Sequence, residues 1–162
     1  MYHYTLGFIK RQDHILMINR DHQPWKGAWN GLGGKIKPGE TPFQGMVREI
    51  KEETGIAIEA TQIQDKGLLT WNVFNAEGRG LYLFLIEVAK DFDYPTPRRT
   101  EEGILEWKHV DWINDYDNVG MAANIPYFLP TLLVEEGRYH YDCLFEQGLL
   151  KSVSKEKMTA CT

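Results

Sequence analysis

The stretch from Asp21 to Gly55 limits the fold more than any other part of the chain. Its first half, Asp21–Gly39, holds Gly27, Gly31, Gly33, Gly34 and Gly39 with Pro24 and Pro38, too many breakers for one regular element. It reads as a long loop, broken by a short strand near Trp29. Its second half, Thr41–Glu53, reads as a helix. Thr41 is placed to cap the N-terminus, Pro42 occupies the first helical position, and Gly55 closes the end. At about 100° per residue Phe43, Met46, Val47 and Ile50 share one arc and form the expected core side. Glu49, Glu52 and Glu53 fall at i, i+3 and i+4 on an arc roughly 120° away, so they are expected to flank the buried stripe and line a cleft edge. Gly45, one turn before Glu49, would leave room there for a ligand.

Strands surround this unit. Tyr4–Ile9 and Ile15–Asn19 are separated by the polar turn Lys10–Asp13. Gly67–Asn72 and Leu81–Val88 pair around Asn75–Gly78, the second being apolar enough for a central position. Asp91–Thr100 is a Pro- and Arg-rich loop, and Leu105–Trp112 is another strand. A helix over Ile125–Glu136 stops at Gly137, and Tyr139–Phe145 with Leu149–Val153 forms a hairpin. The pattern predicts an α/β (α+β) domain with a mixed sheet. Residues 1–153 are read as a single domain, with a frayed tail over 154–162.

Composition narrows the function classes. The length of 162 residues gives one domain with a sufficient core. Apolar runs fall short of the roughly 18 residues of a membrane span, and no membrane association is expected. Met1–Thr5 lacks the basic start of a secretory signal, and Cys143 and Cys161 make no disulfide framework, so a cytoplasmic setting is expected. A net charge of −5 argues against a stable nucleic-acid partner, but not against a polyanionic substrate if a cation stands between the two. Oligomeric state is not legible.

A phosphate-binding P-loop ending at Gly34-Lys35 would need Gly where Trp29 stands and Ser or Thr where Ile36 stands. His3, His14, His22, His109 and His140 lack zinc-ligand spacing. No serine stands in a G-x-S-x-G elbow. The three glutamates remain. As a solvated face they would pair with Arg48 and Lys51; as a site, they suit a hard divalent cation, Mg²⁺ above all.

Spacing decides between these. Gly34, five residues, Glu40, seven residues, then Arg48-Glu49-Ile50-Lys51-Glu52-Glu53-Thr54-Gly55-Ile56 matches the Nudix box at every specified position, with a chance probability on the order of 10⁻⁹ per starting point. The chain resembles the Nudix hydrolases. Trp29-Asn30-Gly31-Leu32-Gly33-Gly34-Lys35 and the opening Tyr4-Thr5-Leu6 resemble the MutT-type branch that hydrolyses oxidised purine nucleoside triphosphates.

The resemblance implies an α/β/α sandwich with the box as loop–helix–loop. It also implies a Mg²⁺-dependent pyrophosphohydrolase, with Mn²⁺ as a substitute, turning a nucleoside triphosphate into monophosphate and pyrophosphate. Glu49, Glu52, Glu53 and the Gly33 carbonyl would ligate metal. Glu102 would add a further carboxylate or act as general base, with Glu101 beside it as the alternative; Glu52 and Glu53 complete the catalytic set. Gly34, Glu40, Arg48 and Gly55 are structural in the box, Arg48 orienting a glutamate and Glu40 reaching Arg48. Asn30, Lys35, Thr5, Arg20 and Asn124 are expected on the substrate. Asn30 is alternatively a turn residue and Asn124 a helix cap. Trp25, Trp29, Trp71 and Phe74 could stack on a base or belong to the core. Val119–Ala123 lacks the Trp and acidic pair that the branch uses on the base. Other diphosphate substrates (ADP-ribose or a triphosphorylated RNA 5′ end) and a non-catalytic ligand-binding role are the alternatives.

Overall fold

Continuous burial along Tyr4–Arg11 (β1) and His14–Arg20 (β2), whose sheet is covered on both faces, goes with an antiparallel pair turned at Gln12, which adopts a positive φ of 54°. The computed structural model describes residues 2–22, 25–72, 79–122 and 124–159. The remaining elements are β3 (Trp29–Asn30), α1 (Pro42–Thr54), β4 (Ile63–Trp71), β5 (Gly80–Glu87), β6 (Arg98–Arg99), β7 (Gly103–His109), α2 (Val110–Ile113), α3 (Ile125–Val134), β8 (Tyr139–Glu146) and β9 (Leu149–Lys157).

The strands form one mixed sheet in the order β6-β7-β2-β1-β5-β4-β8-β9, with β3 paired to β2. The β1–β5 and β4–β8 pairs are parallel, and the other pairs are antiparallel. Both faces of the sheet are covered. On one face Met46 and Ile50 of α1 pack with Ile9, Leu16, Ile18, Phe84 and Ile86. On the other, Phe128, Leu129 and Leu132 of α3 pack with Phe8, Met17, Leu83 and Tyr141. Each such side chain removed from water contributes about 1.5–3 kcal/mol, so the two clusters hold the helices to the sheet. The result is the expected mixed-sheet sandwich.

Several boundaries differ from the sequence reading. The strand expected over Leu105–Trp112 ends at His109, whose ring accepts from the Asp111 N–H at 3.1 Å and caps α2. Within the expected loop Asp91–Thr100, Arg98–Arg99 pairs with β7. The helix from Ile125 stops at Val134 because Glu135 turns extended. The tail from Ser154 is not frayed through Lys157: β9 continues there, with Ser154 opposite Asp142 and Lys157 opposite Tyr139. Backbone pairing supplies what its mostly exposed side chains do not. The turn expected over Asn75–Gly78 lies outside the described residues.

Candidate active site

The site begins with a backbone strap. Residues Leu32–Ile36 run along β1, where the Thr5 N–H donates to the Gly34 carbonyl (2.9 Å), the Gly7 N–H to Leu32 (2.7 Å) and the Ile36 N–H to His3 (2.7 Å). At Gly33, φ is 152° and a Cβ would run into the Thr5 carbonyl, so only glycine fits this close approach. A Cβ on Gly34 would stand 2.6 Å from Glu49 Oε1. The missing side chain therefore lets the strap lie against the carboxylates of α1. At Gly45, by contrast, an added Cβ would meet Ile36 (3.4 Å) and Glu40 (3.5 Å) at ordinary contact distance, so this glycine faces the loop rather than a ligand.

Helix α1 starts on a reciprocal capping box between Thr41 and Gln44 and ends on Gly55 in the left-handed conformation. Its buried stripe is Met46, Ile50 and Glu53, spaced i, i+4, i+7, while Phe43 is exposed. Glu53 thus lies on the core face and does not merely flank it. Arg48 is the hub of the outer face. Its Nε and Nη2 donate to both Glu40 oxygens (2.7 and 2.9 Å), Nη1 to Glu49 (2.9 Å) and Glu52 (3.3 Å), and Nη2 also to the Lys35 carbonyl (2.9 Å). The guanidinium, helped by the Lys37 N–H, holds the Glu40 carboxyl down at about 2.

Glu53 has the opposite environment. It is 3% exposed, and its Oε1 accepts from the Gly33 N–H at 2.8 Å. Its Oε2 is buried with no hydrogen-bond partner among the described residues. Burial pushes its pKa up to about 8; the Gly33 N–H opposes this, Glu49 and Glu102 add to it, and Arg20 pulls the other way. Glu49 is raised for the same first reason, with Arg48 opposing and Glu52 and Glu102 adding. Glu102 reaches this neighbourhood because its carbonyl accepts from the Asp21 N–H (2.9 Å) and Gly103 pairs with Arg20. Its charge acts on both Glu49 and Glu53. Among the described residues no three His, Cys, Asp or Glu side chains converge into a ready ion cage. Arg48 holds one oxygen each of Glu49 and Glu52. The donor set nonetheless suits a hard divalent cation. It is all oxygen, mutually repelling, and includes a buried carboxylate oxygen without a partner.

Beside the carboxylates opens a cavity of about 570 Å³, lined among others by Thr5, Arg20, Trp25, Asn30, Gly33 and Asn124. This volume suits a nucleotide-sized ligand. Four of the five residues expected on the substrate meet here. Lys35 does not; it lines a neighbouring cavity with Tyr2, Lys37 and Tyr82. Asn30 is anchored as the turn reading expected, its Oδ1 accepting from the Gly31 N–H at 2.8 Å. Asn124 stands at the N-cap position of α3 without a side-chain cap bond, and its side chain bonds Cys143 instead. Trp29 packs against the core and under Lys108, 4.3 Å from the ring centroid. Phe74 lies outside the described residues. Tyr4, Leu69, Leu81 and Phe145 also line the cavity. Their only sequence signal was a place in an expected strand, which marks sheet but not an opening.

Three glutamates on one helix, two of them held by Arg48, with a glycine strap against them and a nucleotide-sized cavity alongside, define a class: hydrolases of phosphoric anhydrides. The NUDIX domain model matches residues 1–128, and the chain belongs to that family and is a Nudix hydrolase. Nudix hydrolases act on nucleotide substrates and use divalent metal ions. The chain is 28% identical over 133 residues to the uncharacterized Nudix hydrolase YvcI of Bacillus subtilis, covering 82% of this chain and 79% of that one. It is 28% identical over 131 residues to the oxidized purine nucleoside triphosphate hydrolase of Mus musculus, covering 80% and 78%. In fold it is similar to the MutT protein of Bacillus halodurans, with a TM-score of 0.72, 24% identity, and 96% and 98% of the two chains covered. No helix among the described residues is long and apolar enough to cross a membrane.

Proposed function

We propose that this chain is a Mg²⁺-dependent nucleoside triphosphate pyrophosphohydrolase, with Mn²⁺ as a working substitute, releasing monophosphate and pyrophosphate in a cytoplasmic setting. Purine triphosphates, oxidised ones among them, are the favoured class, in keeping with the name of the mouse relative. The observation that carries this is Glu53: a buried carboxyl with one unpartnered oxygen, beside Glu49 and Glu102, at the edge of a nucleotide-sized cavity.

Glu49, Glu52, Glu53 and Glu102, with the Gly33 carbonyl, would hold the metal. Bound there, divalent ions neutralise phosphate oxygens and acidify water. Arg48 keeps Glu49 and Glu52 in place, and Glu40 fixes Arg48. Arg20 supplies the cationic side chain on the cavity wall, suited to phosphate. Asn30 spends Oδ1 on the Gly31 N–H and keeps its NH₂ for the base. Glu102 completes the carboxylate set or takes the proton of the attacking water.

The test is a panel of nucleoside triphosphates, ADP-ribose and triphosphorylated RNA with Mg²⁺, products resolved by chromatography. Triphosphates should give monophosphate and pyrophosphate, and Glu53→Gln should lower turnover by roughly 100-fold or more while the fold persists. Near-normal turnover of that variant, activity in excess chelator, or hydrolysis of ADP-ribose or RNA alone would overturn the proposal.

A further inference from the structure

Two residues of the cavity wall carry a buried polar atom with no hydrogen-bond partner among the described residues: Arg20, through its Nε, and a second that the hydrolytic reaction does not use. Trp71 closes β4 and lines the cavity, and its indole Nε1 is buried with no hydrogen-bond partner among the described residues. The strand that carries it is pinned at this point. Trp71 stands opposite Cys143 in the parallel β4–β8 pair. Next to it, the Asn72 amide bonds both ways to Phe145, donating to its carbonyl (3.1 Å) and accepting from its N–H (2.8 Å). Cys143 in turn is bonded by Asn124, which lines the same cavity. Trp71 and Asn124 thus line the same cavity and share Cys143 as a neighbour. An indole N–H can only donate, and burying a donor without a partner costs about 1–3 kcal/mol. A bound ligand would relieve that cost if it brought an acceptor.

The remaining lining sharpens the chemistry. Among the described residues the cavity is lined by no Asp or Glu. A base edge made of N–H donors, such as the N1–H and 2-amino group of guanine, therefore finds no carboxylate to receive it. A carbonyl oxygen or ring nitrogen finds a waiting donor.

We propose that the Trp71 Nε1–H is a specificity-determining donor that selects nucleotides by an acceptor atom on the base, so that the guanine 2-amino group contributes nothing to selection. This deepens the triphosphate reading and rests on it. Trp71 acts as a hydrogen-bond donor here, beyond whatever stacking its ring provides.

The experiment compares wild type with Trp71→Phe, which keeps a ring and removes the donor, on ATP, GTP, ITP, CTP, UTP and inorganic triphosphate. Wild type should hydrolyse ITP within about threefold of GTP. Trp71→Phe should lower kcat/KM for the best nucleotide about tenfold, chiefly through KM. The loss on inorganic triphosphate, which has no base, should be less than threefold. Equal losses on every compound, no loss on any, or GTP preferred to ITP by a hundredfold would overturn the inference. Spectra of ¹⁵N-labelled wild type give a readout independent of turnover. The indole resonance absent from Trp71→Phe should move downfield when the α,β-methylene analogue of the best nucleotide binds, and an unmoved resonance counts against the role. Should Trp71→Phe fail to fold, single Phe substitutions at Trp25, Trp29, Trp107 and Trp112 assign the same resonance by elimination among the five indoles. Failure of wild type to hydrolyse any nucleotide would instead remove the pyrophosphohydrolase reading.

Discussion

Glu53 stands on the core face of its helix, i+7 from Met46, and its carboxyl is nevertheless the most perturbed acid of the site. Its folded-state value near 8 lies above the ordinary 4.5, so the folded protein keeps a proton that the unfolded chain gives up. Stability from this group is therefore complete below about 4.5 and is lost as pH rises toward about 8. The slope approaches about 1.4 kcal/mol per pH unit. Glu49, also raised, acts in the same direction. Glu40, held near 2, acts in the opposite sense: its contribution is present above 4.5 and falls away only below that. Urea unfolding in chelator should show stability declining from pH 5 to pH 8, and Glu53→Gln should flatten the decline. Equal slopes for the two proteins would show that Glu53 is not buried as described. The identity of this glutamate was legible from the box spacing. Its burial was not, because the helical arc drawn from Phe43 and Val47 rotated the expected core away from position 53, and only packing against the sheet decided which arc goes inside.

At the scale of the element, the loop–helix–loop was the most legible part of the chain, since its signals are local. Thr41, Pro42 and Gly55 each act within one turn, and each occupies the role its chemistry predicts. The capping box makes the helix start a defined point: Gln44 N–H donates to Thr41 Oγ1 (3.1 Å) and Thr41 N–H to Gln44 Oε1 (3.0 Å). Thr41→Ala should therefore cost about 1 kcal/mol of stability, read as a lower urea midpoint at unchanged slope. An unchanged midpoint would mean that the cap is replaced by water at no cost. Elements defined by pairing fared worse than this helix. Strand β9 beyond Val153 carries mostly exposed side chains and reads from sequence as a tail, yet its backbone bonds to β8 extend it to Lys157. The β6 strand is two residues long, below what any periodicity can register.

For the whole molecule, what the sequence could not show is which distant segments meet. The cavity draws on β1, β2, β4 and β8, and the proposed carboxylate set takes a residue from beyond the box, so both depend on sheet order rather than on any motif. Glu102 is the case in point. Its segment, Arg98–Glu102, reads alone as a solvated loop, and the antiparallel β2–β7 register brings it beside Arg20 and within electrostatic reach of Glu49 and Glu53. Its neighbour Glu101 does not figure among the charges acting on either box glutamate. A carboxylate that joins the metal-holding set, or takes the proton of the attacking water, acts on the chemical step rather than on the grip of the base. Glu102→Gln should thus lower kcat and kcat/KM together, on the order of 100-fold, with the ranking of nucleotides preserved. Glu101→Gln should leave both within about twofold, since surface charges remote from the reacting groups contribute little. A Glu102→Gln enzyme with intact kcat, or a larger loss from Glu101→Gln, would move the fourth carboxylate to the neighbouring residue and require the Arg98–Gly103 segment to pack differently against β2.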